Sequence, residues 1–205
     1  MSSLKAAPAP AAKSGEAAEE RDRKAEHIAL ALSSRNQLER CFFDDYAFEH
    51  VALPEIDLDE VSTETEFLGR RLAAPLLVSC MTGGTAEARR INEHLARAAE
   101  RRGVAIGVGS QRKAIEDPSL AASFQIRDLA PSVPLLANLG AVQLNYGYGL
   151  DECRRAVDMI SADALVLHLN PLQEAIQPEG DSDFSGLLPK IGRIVRRLEV
   201  PVIVK

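Results

Sequence analysis

Five short apolar runs recur along the chain, and each of them ends in polar or glycine residues. They are Leu76–Gly84, Val104–Arg112, Leu135–Gly140, Ala164–Asn170 and Leu198–Lys205. Runs that are apolar on both faces are typical of strands in a parallel sheet. Their starts lie roughly 30 residues apart, which is the length of one strand–helix unit. The sequence therefore predicts a parallel sheet whose carboxyl ends, with the polar residues after them, lie along one edge.

Two α/β folds have this regular alternation of strands and helices, the open doubly wound sheet and the (β/α)8 barrel. The first carries a G-x-G-x-x-G turn after its first strand. In this chain the first strand is followed instead by Met81-Thr-Gly-Gly84, and Gly107-Val-Gly109 matches only the first two glycines of that motif. Polar residues after all the strands favour the (β/α)8 TIM barrel. Because such a barrel takes about 250 residues, we expect these 205 residues to supply about five βα units and to lack the strands that close the ring.

The segments between the strands have helical patterns. Thr85 and Gly103 are suited to cap the first helix, and Asp117-Pro118 to start the second. The predicted helices span 86–102, 118–129, 151–160 and 186–198. The residues predicted to face the core are Ile91, Leu95 and Ala98 in the first helix, Cys153, Ala156, Val157 and Ile160 in the third, and Leu187, Ile191, Ile194, Val195 and Leu198 in the last.

Three regions are predicted along the chain. Residues 1–20 are rich in Ala, Pro, Ser, Lys and Glu, which predicts a disordered tail. Residues 21–72 form an N-terminal helix, over 21–37, and a lid region with a short hairpin over 61–72. Residues 73–205 form the partial barrel. The aromatic residues expected to pack the N-terminal region against the barrel are Phe42, Phe43, Tyr46 and Phe48.

Composition excludes several classes of partner. The net charge of −6 makes nucleic acid an unsuitable general partner. No apolar run reaches the length of a membrane span, and the N-terminus has no signal-peptide pattern, so we expect a cytoplasmic protein. Cys41, Cys80 and Cys153 are an odd set without a Cys-x-x-Cys pair, which argues against a disulfide framework or a zinc site.

The turns after the first three strands carry candidate ligand contacts. The glycines of Met81–Gly84 allow a phosphate or a flat ring to approach the backbone, although they also suit a tight structural turn. Arg112, after Ser110, can bind phosphate as a fork or remain a solvated charge. Asn138, alone in an apolar strand, must hydrogen-bond either neighbouring backbone or a ligand.

The densest cluster follows the fourth strand. Alternation places His168 and Asn170 on one side of the strand, with Gln173 and Glu174 in the loop that follows. Glu174 can bind a hard divalent cation if substrate phosphates supply more oxygen ligands. His168 can equally be a core histidine and Glu174 a surface charge.

Two cationic features complete the set. Lys205, at the tip of the fifth run, can pair with an anionic ring or phosphate, form a Schiff base, or be exposed. Arg23-Lys24-x-x-His27 can present a cationic patch to a diphosphate or simply be a solvated helix face.

Together these residues resemble the type 2 isopentenyl-diphosphate isomerases, flavoproteins with a (β/α)8 barrel. The shared motifs, from Arg21 to Lys205, are Arg23-Lys24-x-x-His27, Met81–Gly84, Gly109–Arg112, Asn138, His168-x-Asn170-x-x-Gln173-Glu174 and Val204-Lys205. The resemblance implies FMN contacts from Met81, Thr82, Gly83, Ser110, Asn138 and Lys205. It implies diphosphate contacts from Arg23, Lys24, His27, Ser110, Arg112 and Gln173. Glu174 would hold magnesium, and His168, Asn170 and Gln173 would line the reacting centre.

The resemblance also implies an activity. The family interconverts isopentenyl and dimethylallyl diphosphate with reduced FMN and Mg²⁺, which makes NADPH the expected reductant. The family's later strands carry a glycine-rich flavin-phosphate site that this sequence does not contain. Open sheet edges further predict association into a homo-oligomer. Two alternatives stay open: a flavin oxidoreductase of the α-hydroxy-acid oxidase type, and a truncated module that binds phosphate or flavin without catalysis.

Overall fold

The computed structural model describes residues 28–33, 42–177 and 180–205. The contacts of the chain separate a unit that ends at Asn36 from a unit that begins at Gln37. In the first unit, residues 28–31 are helical. The predicted tail, the patch Arg23-Lys24-x-x-His27, Cys41 and most of the predicted helix over 21–37 lie outside the described residues.

The second unit begins its regular structure with a small hairpin. Strands β1 (Thr65–Phe67) and β2 (Arg70–Leu72) pair antiparallel through a tight turn. Leu68 and Gly69 both take positive φ, 53° and 71°, in that turn. The predicted hairpin over 61–72 is therefore confirmed.

The main sheet has five parallel strands in sequential order. They are β3 (Leu77–Val78), β4 (Ala105–Gly107), β5 (Leu135–Gly140), β6 (Ala164–His168) and β7 (Val202–Val204). A doubly wound sheet would reverse its strand order at a switch point. The sequential order therefore excludes that fold among the described strands and confirms about five βα units of the (β/α)8 type.

In the described part of this unit, five α-helices accompany these strands: α1 (Ala86–Arg102), α2 (Arg112–Glu116), α3 (Leu150–Ile160), α4 (Pro171–Ile176) and α5 (Leu187–Arg197). The predicted caps of α1 are confirmed, because the Thr85 hydroxyl accepts a 3.0 Å hydrogen bond from the Ala88 N–H and Gly103 takes the left-handed conformation. Its core face differs from the prediction, since the buried residues are Ala88, Asn92, Ala96 and Ala99. Small side chains there let the helix approach the sheet closely.

Two helix predictions need correction. Residues 118–129 form two 3-10 helices, Pro118–Ser123 and Arg127–Leu129, rather than one α-helix. Phe124 and Ile126 are both fully buried, and a continuous α-helix would not point residues two apart to the same side. In α5, Val195 is exposed although Ile194 is buried, so the core stripe of that helix is narrower than predicted.

Both faces of the sheet are covered. The helix-facing side of β5 carries Leu135, Ala137 and Leu139, within the larger hydrophobic cluster. On the inner face, Leu136, Ala164 and Val166 pack with Phe67 and Leu68 of the hairpin. The hairpin therefore covers the inner face near the amino ends of the strands. The turns after the carboxyl ends lie at the opposite end of the sheet from the hairpin.

The aromatic residues before the hairpin do not pack as predicted. Phe43, Tyr46 and Phe48 are 81%, 80% and 104% exposed, and Phe43 contacts only the Tyr46 ring among described aromatic pairs. The Phe42 side chain lies outside the described part. The side chains of Phe43, Tyr46 and Phe48 therefore contribute nothing to the described core.

A charged cluster fixes the hairpin to the amino end of β6. Asp163 accepts hydrogen bonds from Arg70 Nη2 at 2.6 Å, from Arg127 Nη2 at 2.7 Å and from the Leu135 N–H at 2.8 Å. Burial alone would raise the pKa of Asp163. The Leu135 N–H and the two guanidinium groups outweigh burial and hold that pKa below its ordinary value.

Asp163→Asn should therefore lower the free energy of unfolding by about 2 kcal/mol at pH 7, because two charge-assisted hydrogen bonds are lost. Because the pKa of Asp163 is lower in the folded chain than in the unfolded chain, the ionised carboxylate stabilises the fold at pH values above the unfolded-state pKa of about 3.9. This stabilisation is lost as the pH falls through the folded-state pKa. Urea unfolding should thus show the variant and the unmodified chain converging as the pH falls below about 3.9. The exposed Asp128→Asn is the charge-matched control; an equal loss in both variants would contradict the role of the cluster.

The described helices include none that is long and apolar enough to cross a bilayer.

Candidate active site

The turn after β3 is locked by side chains from two neighbouring elements. Asn92 of α1 donates to the Thr82 carbonyl at 3.2 Å and accepts from the Thr82 hydroxyl, and Ser123 Oγ accepts from the Gly84 N–H at 2.9 Å. Glycine is required at residue 83, since a Cβ there would lie 1.9 Å from the Phe124 ring. The turn is rigid while Met81, at its start, is 71% exposed.

The turn after β4 lies directly against it. The Gly109 N–H donates to the Thr82 carbonyl at 2.6 Å. A Cβ on Gly109 would lie 2.6 Å from the same carbonyl. Gly109 therefore sets the distance between two predicted ligand-binding turns, Met81–Gly84 and Ser110–Arg112.

Gln111 fixes the position of β5 near its carboxyl end. It was not predicted as a site residue. Its side chain is fully buried, donates to the Ala156 carbonyl at 2.8 Å and accepts from the Asn138 N–H at 3.0 Å. A glutamine between two predicted ligand residues was the available sequence signal. Its contacts make it a brace between β5 and α3.

Asn138 and His168 meet side chain to side chain. Asn138 Oδ1 lies 2.7 Å from His168 Nδ1, and Asn138 is 1% exposed. Because an amide oxygen only accepts, His168 Nδ1 is the donor of this pair. A Cβ on Gly140 would lie 3.3 Å from Nε2, so the glycine opposite His168 makes room for the ring.

Glu174 is a buried carboxylate and not a surface charge. It is 7% exposed, and it accepts from Asn170 Nδ2 at 2.7 Å and from the Asp181 N–H at 2.9 Å. Asn170 Oδ1 is buried and finds no hydrogen-bond partner within the described residues. Gln173, beside Glu174 on α4, has an exposed side chain.

Arg112 joins this group through Asp181, which was not predicted. Arg112 Nη1 donates to Asp181 Oδ2 at 2.6 Å, and Gln143 Nε2 donates to the same oxygen at 2.9 Å. Arg112 Nε donates to Glu116 Oε1 at 3.1 Å. Burial would lower the pKa of Arg112, but the two carboxylates outweigh burial and hold it above its ordinary value, so the guanidinium stays charged.

Lys205, which follows β7, links the carboxyl end of that strand to the carboxyl end of β3. Its Nζ donates to the Cys80 carbonyl at 3.1 Å. The five strand tips therefore curl around a common centre instead of lying in a flat row. Burial raises the pKa of the Cys80 thiol, and the smaller opposing effects of Asn138 and Lys205 do not reverse this, so the thiol stays protonated at neutral pH.

Among the predicted site residues, the structure thus brings together Asn138 with His168, Asn170 with Glu174, and, through Asp181, Arg112 with Glu174. Ser110 is half-buried after β4. Arg23, Lys24 and His27 lie outside the described residues.

Oxygen atoms around Glu174 fit a magnesium ion. Mg²⁺ prefers oxygen ligands and commonly takes one or two carboxylates together with phosphate oxygens. A carboxylate offers about four lone-pair sites, so Glu174 can accept its two hydrogen bonds and still bind a cation, with Asn170 Oδ1 close by. Over the described ranges no group of three or more His, Cys, Asp or Glu residues converges, so substrate oxygens would have to complete the coordination.

The strand tips also fit a flat, electron-rich ring. Met81 offers exposed apolar surface, and the Lys205 ammonium has donors beyond the one used by Cys80. An anionic heteroaromatic ring is stabilised by a nearby cation and by apolar contact on its face. These features suit the isoalloxazine ring of FMN.

The chain is similar in sequence to several known proteins. A sequence model of the family described as FMN-dependent dehydrogenase matches residues 31–126. The isopentenyl-diphosphate delta-isomerase of Nostoc sp. is 52% identical over 197 residues, which cover 93% of this chain and 55% of the relative. The protein of that name from Paracoccus zeaxanthinifaciens is 55% identical over 186 residues, covering 89% of this chain and 53% of the relative.

A solved structure with a similar fold is more distant. A mandelate oxidase variant with the monooxide FMN adduct is 20% identical, with a TM-score of 0.47 over 72% of this chain and 45% of that one. The chain spans about half the length of the curated relatives that it matches. In sequence, the chain is therefore similar to proteins named isopentenyl-diphosphate delta-isomerase, over about half of their length.

Proposed function

We propose that a full-length protein carrying these residues interconverts isopentenyl and dimethylallyl diphosphate, with reduced FMN and Mg²⁺. The observation that carries the proposal is the Arg112–Asp181–Glu174 group, which places a fixed cation and a buried carboxylate together at the strand tips. A diphosphate needs both, a guanidinium for its oxygens and a carboxylate for its metal.

The FMN ring would lie against the turns after β3 and β4. Its contacts would be Met81, Thr82, Gly83, Ser110, Asn138 and Lys205. The Thr82 hydroxyl and carbonyl are already used by Asn92 and Gly109, so this residue would act through its N–H. Reduced FMN, when bound, would supply proton transfer to and from the substrate carbon without net oxidation.

The diphosphate would lie beside Arg112, with Ser110, Gln173, Arg23, Lys24 and His27 as further contacts. Glu174 would hold a magnesium ion, which would neutralise part of the diphosphate charge. Bound in this way, the charged end of the substrate is fixed, so the alkene end is oriented toward the remaining strand tips.

His168, Asn170 and Gln173 would line the reacting carbons. Asn138 fixes the orientation of the His168 ring through the Nδ1 contact. Gln173 has an amide that does not ionise near neutral pH, so its role would be to position the alkene or a proton rather than to act as a general base.

Three further properties belong to this proposal. NADPH would reduce the flavin, and the protein would work in the cytoplasm. It would form a homo-oligomer, for which the exposed rings before the hairpin, such as Phe43 and Phe48, offer apolar surface.

The match to the FMN-dependent dehydrogenase model favours one competing function, oxidation of a 2-hydroxy acid. Purified full-length protein should be given isopentenyl diphosphate under reducing, anaerobic conditions, and mandelate or lactate under air. We expect dimethylallyl diphosphate in the first reaction and no 2-oxo acid in the second. Formation of the 2-oxo acid without isomerisation would replace this function by the competing one, and absence of bound flavin with no turnover would favour a non-catalytic module.

A further inference from the structure

The guanidinium of Arg112 has already donated to two carboxylates before any substrate arrives. Nη1 donates to Asp181 and Nε donates to Glu116. A guanidinium has two forks for bidentate binding, Nε with Nη2 and Nη1 with Nη2. Nε has a single N–H, which Glu116 already accepts, whereas Nη1 and Nη2 have two each. A phosphate that binds the Nε–Nη2 fork of Arg112 must therefore displace Glu116.

Asp181 is held from several directions. Its side chain is 20% exposed and receives hydrogen bonds from Arg112 and Gln143, while its own N–H donates to Glu174. The chain before it is also confined, since a Cβ on Gly180 would lie 1.8 Å from the Glu174 carbonyl oxygen. Moving the Asp181 carboxylate would leave Gln143 and Arg112 without their acceptor at the same time.

Glu116 is held far more weakly. Its side chain is 51% exposed and lies four residues after Arg112 on α2. Besides Arg112, the Tyr148 hydroxyl donates to it at 3.3 Å. Ion pairs of this exposed i,i+4 kind contribute little to stability, because water solvates the released carboxylate well. Glu116 is therefore the carboxylate that gives way.

We infer that Asp181 is a positioning residue for the diphosphate, and that Glu116 occupies the fork of Arg112 that the diphosphate takes. Asp181 keeps its hold on Nη1 while Nε and Nη2 turn to the phosphate oxygens. Through its N–H, Asp181 also ties this guanidinium to the carboxylate of Glu174. The inference rests on the proposed function, because it assigns the diphosphate to Arg112.

The two carboxylates should therefore respond with opposite signs when each is neutralised in the full-length protein. Asp181→Asn should raise KM for isopentenyl diphosphate about tenfold, because the guanidinium is no longer held by a charged acceptor. Glu116→Gln should lower KM about twofold, since a competitor for the fork is removed. In both variants kcat should change much less than KM. Inhibition constants of inorganic pyrophosphate should move in parallel with KM.

A double-mutant cycle separates positioning from a general loss of structure. In an Arg112→Gln background, Asp181→Asn should no longer change pyrophosphate affinity. Asp181→Glu, which keeps the charge, should recover most of the lost affinity and is the variant to use if Asp181→Asn folds poorly.

Three outcomes would overturn the inference. They are an unchanged KM in Asp181→Asn, a rise of KM in both neutralised variants, and an undiminished Asp181→Asn effect without Arg112. Each of these leaves the proposed function standing if the unmodified protein isomerises its substrate. A protein that neither binds pyrophosphate nor turns over isopentenyl diphosphate would overturn the proposed function, and this inference with it.

Discussion

Glu174→Gln is expected to lower magnesium-dependent isomerisation by a factor of about 100 or more while leaving FMN bound. The carboxylate is buried and accepts from Asn170 and the Asp181 N–H, so glutamine keeps its size but loses the charge and one of the two acceptor oxygens. Loss of an anionic metal ligand costs about 3 kcal/mol or more, which corresponds to this factor. Turnover as a function of Mg²⁺ concentration, measured together with flavin absorbance, checks the result.

The matched control is Glu199→Gln. Glu199 is an exposed carboxylate that pairs with Arg154 before β7, away from the strand tips. This variant should keep its turnover and its response to magnesium. If Glu174→Gln lost FMN but kept an unchanged magnesium response, Glu174 would serve the flavin side of the site and the metal assignment would be wrong.

Gly109→Ala is expected to lower the free energy of unfolding by about 3 kcal/mol and to weaken FMN binding more than tenfold. The added Cβ would overlap the carbonyl carbon and oxygen of Thr82, each at 2.6 Å, and the backbone there cannot rotate away as a side chain can. The Gly109–Thr82 hydrogen bond would be lost with it. Denaturant unfolding and flavin titration measure the two effects.

Gly192→Ala makes the same chemical change, but we expect it to have the opposite effect on stability. Gly192 lies inside α5, where an added Cβ meets only the flexible Arg196 side chain at 3.4 Å. Alanine in a helix interior is favoured over glycine by about 0.5–1 kcal/mol. This variant should be as stable as the unmodified chain or more stable. Equal losses in both variants would mean that the contact between the turns after β3 and β4 is not what makes Gly109 necessary.

Local signals predicted much of the fold. The Thr85 and Gly103 caps depend on residues within four positions of them, and both were found as expected. Asp117-Pro118 was also a correct local signal, because the Asp117 carboxylate accepts from the Ser119 N–H. An N-cap does not distinguish an α-helix from a 3-10 helix. That choice followed from burying both Phe124 and Ile126, which is a tertiary effect.

For the candidate site too, local signals predicted some residues, and tertiary contacts decided the rest. Asn138, His168 and Glu174 were predicted from the sequence, because each is a polar residue within an apolar strand or in the segment that follows one. Asp181 and Gln143 were missed because their contacts with each other and with Arg112 join residues 38 and 69 positions apart. The exposed rings of Phe43 and Tyr46 were misjudged for a related reason: an apolar residue in a sequence does not show which surface, if any, covers it.

The oxidation state of the flavin gives the most direct test of the central claim. Full-length protein should be incubated anaerobically with isopentenyl diphosphate and Mg²⁺, once with FMN held oxidised and once with FMN reduced by NADPH or dithionite. The proposed function predicts dimethylallyl diphosphate from the reduced protein alone, with the flavin still reduced at the end because the reaction consumes no electrons. Full activity with oxidised FMN, or with the flavin removed, would contradict it.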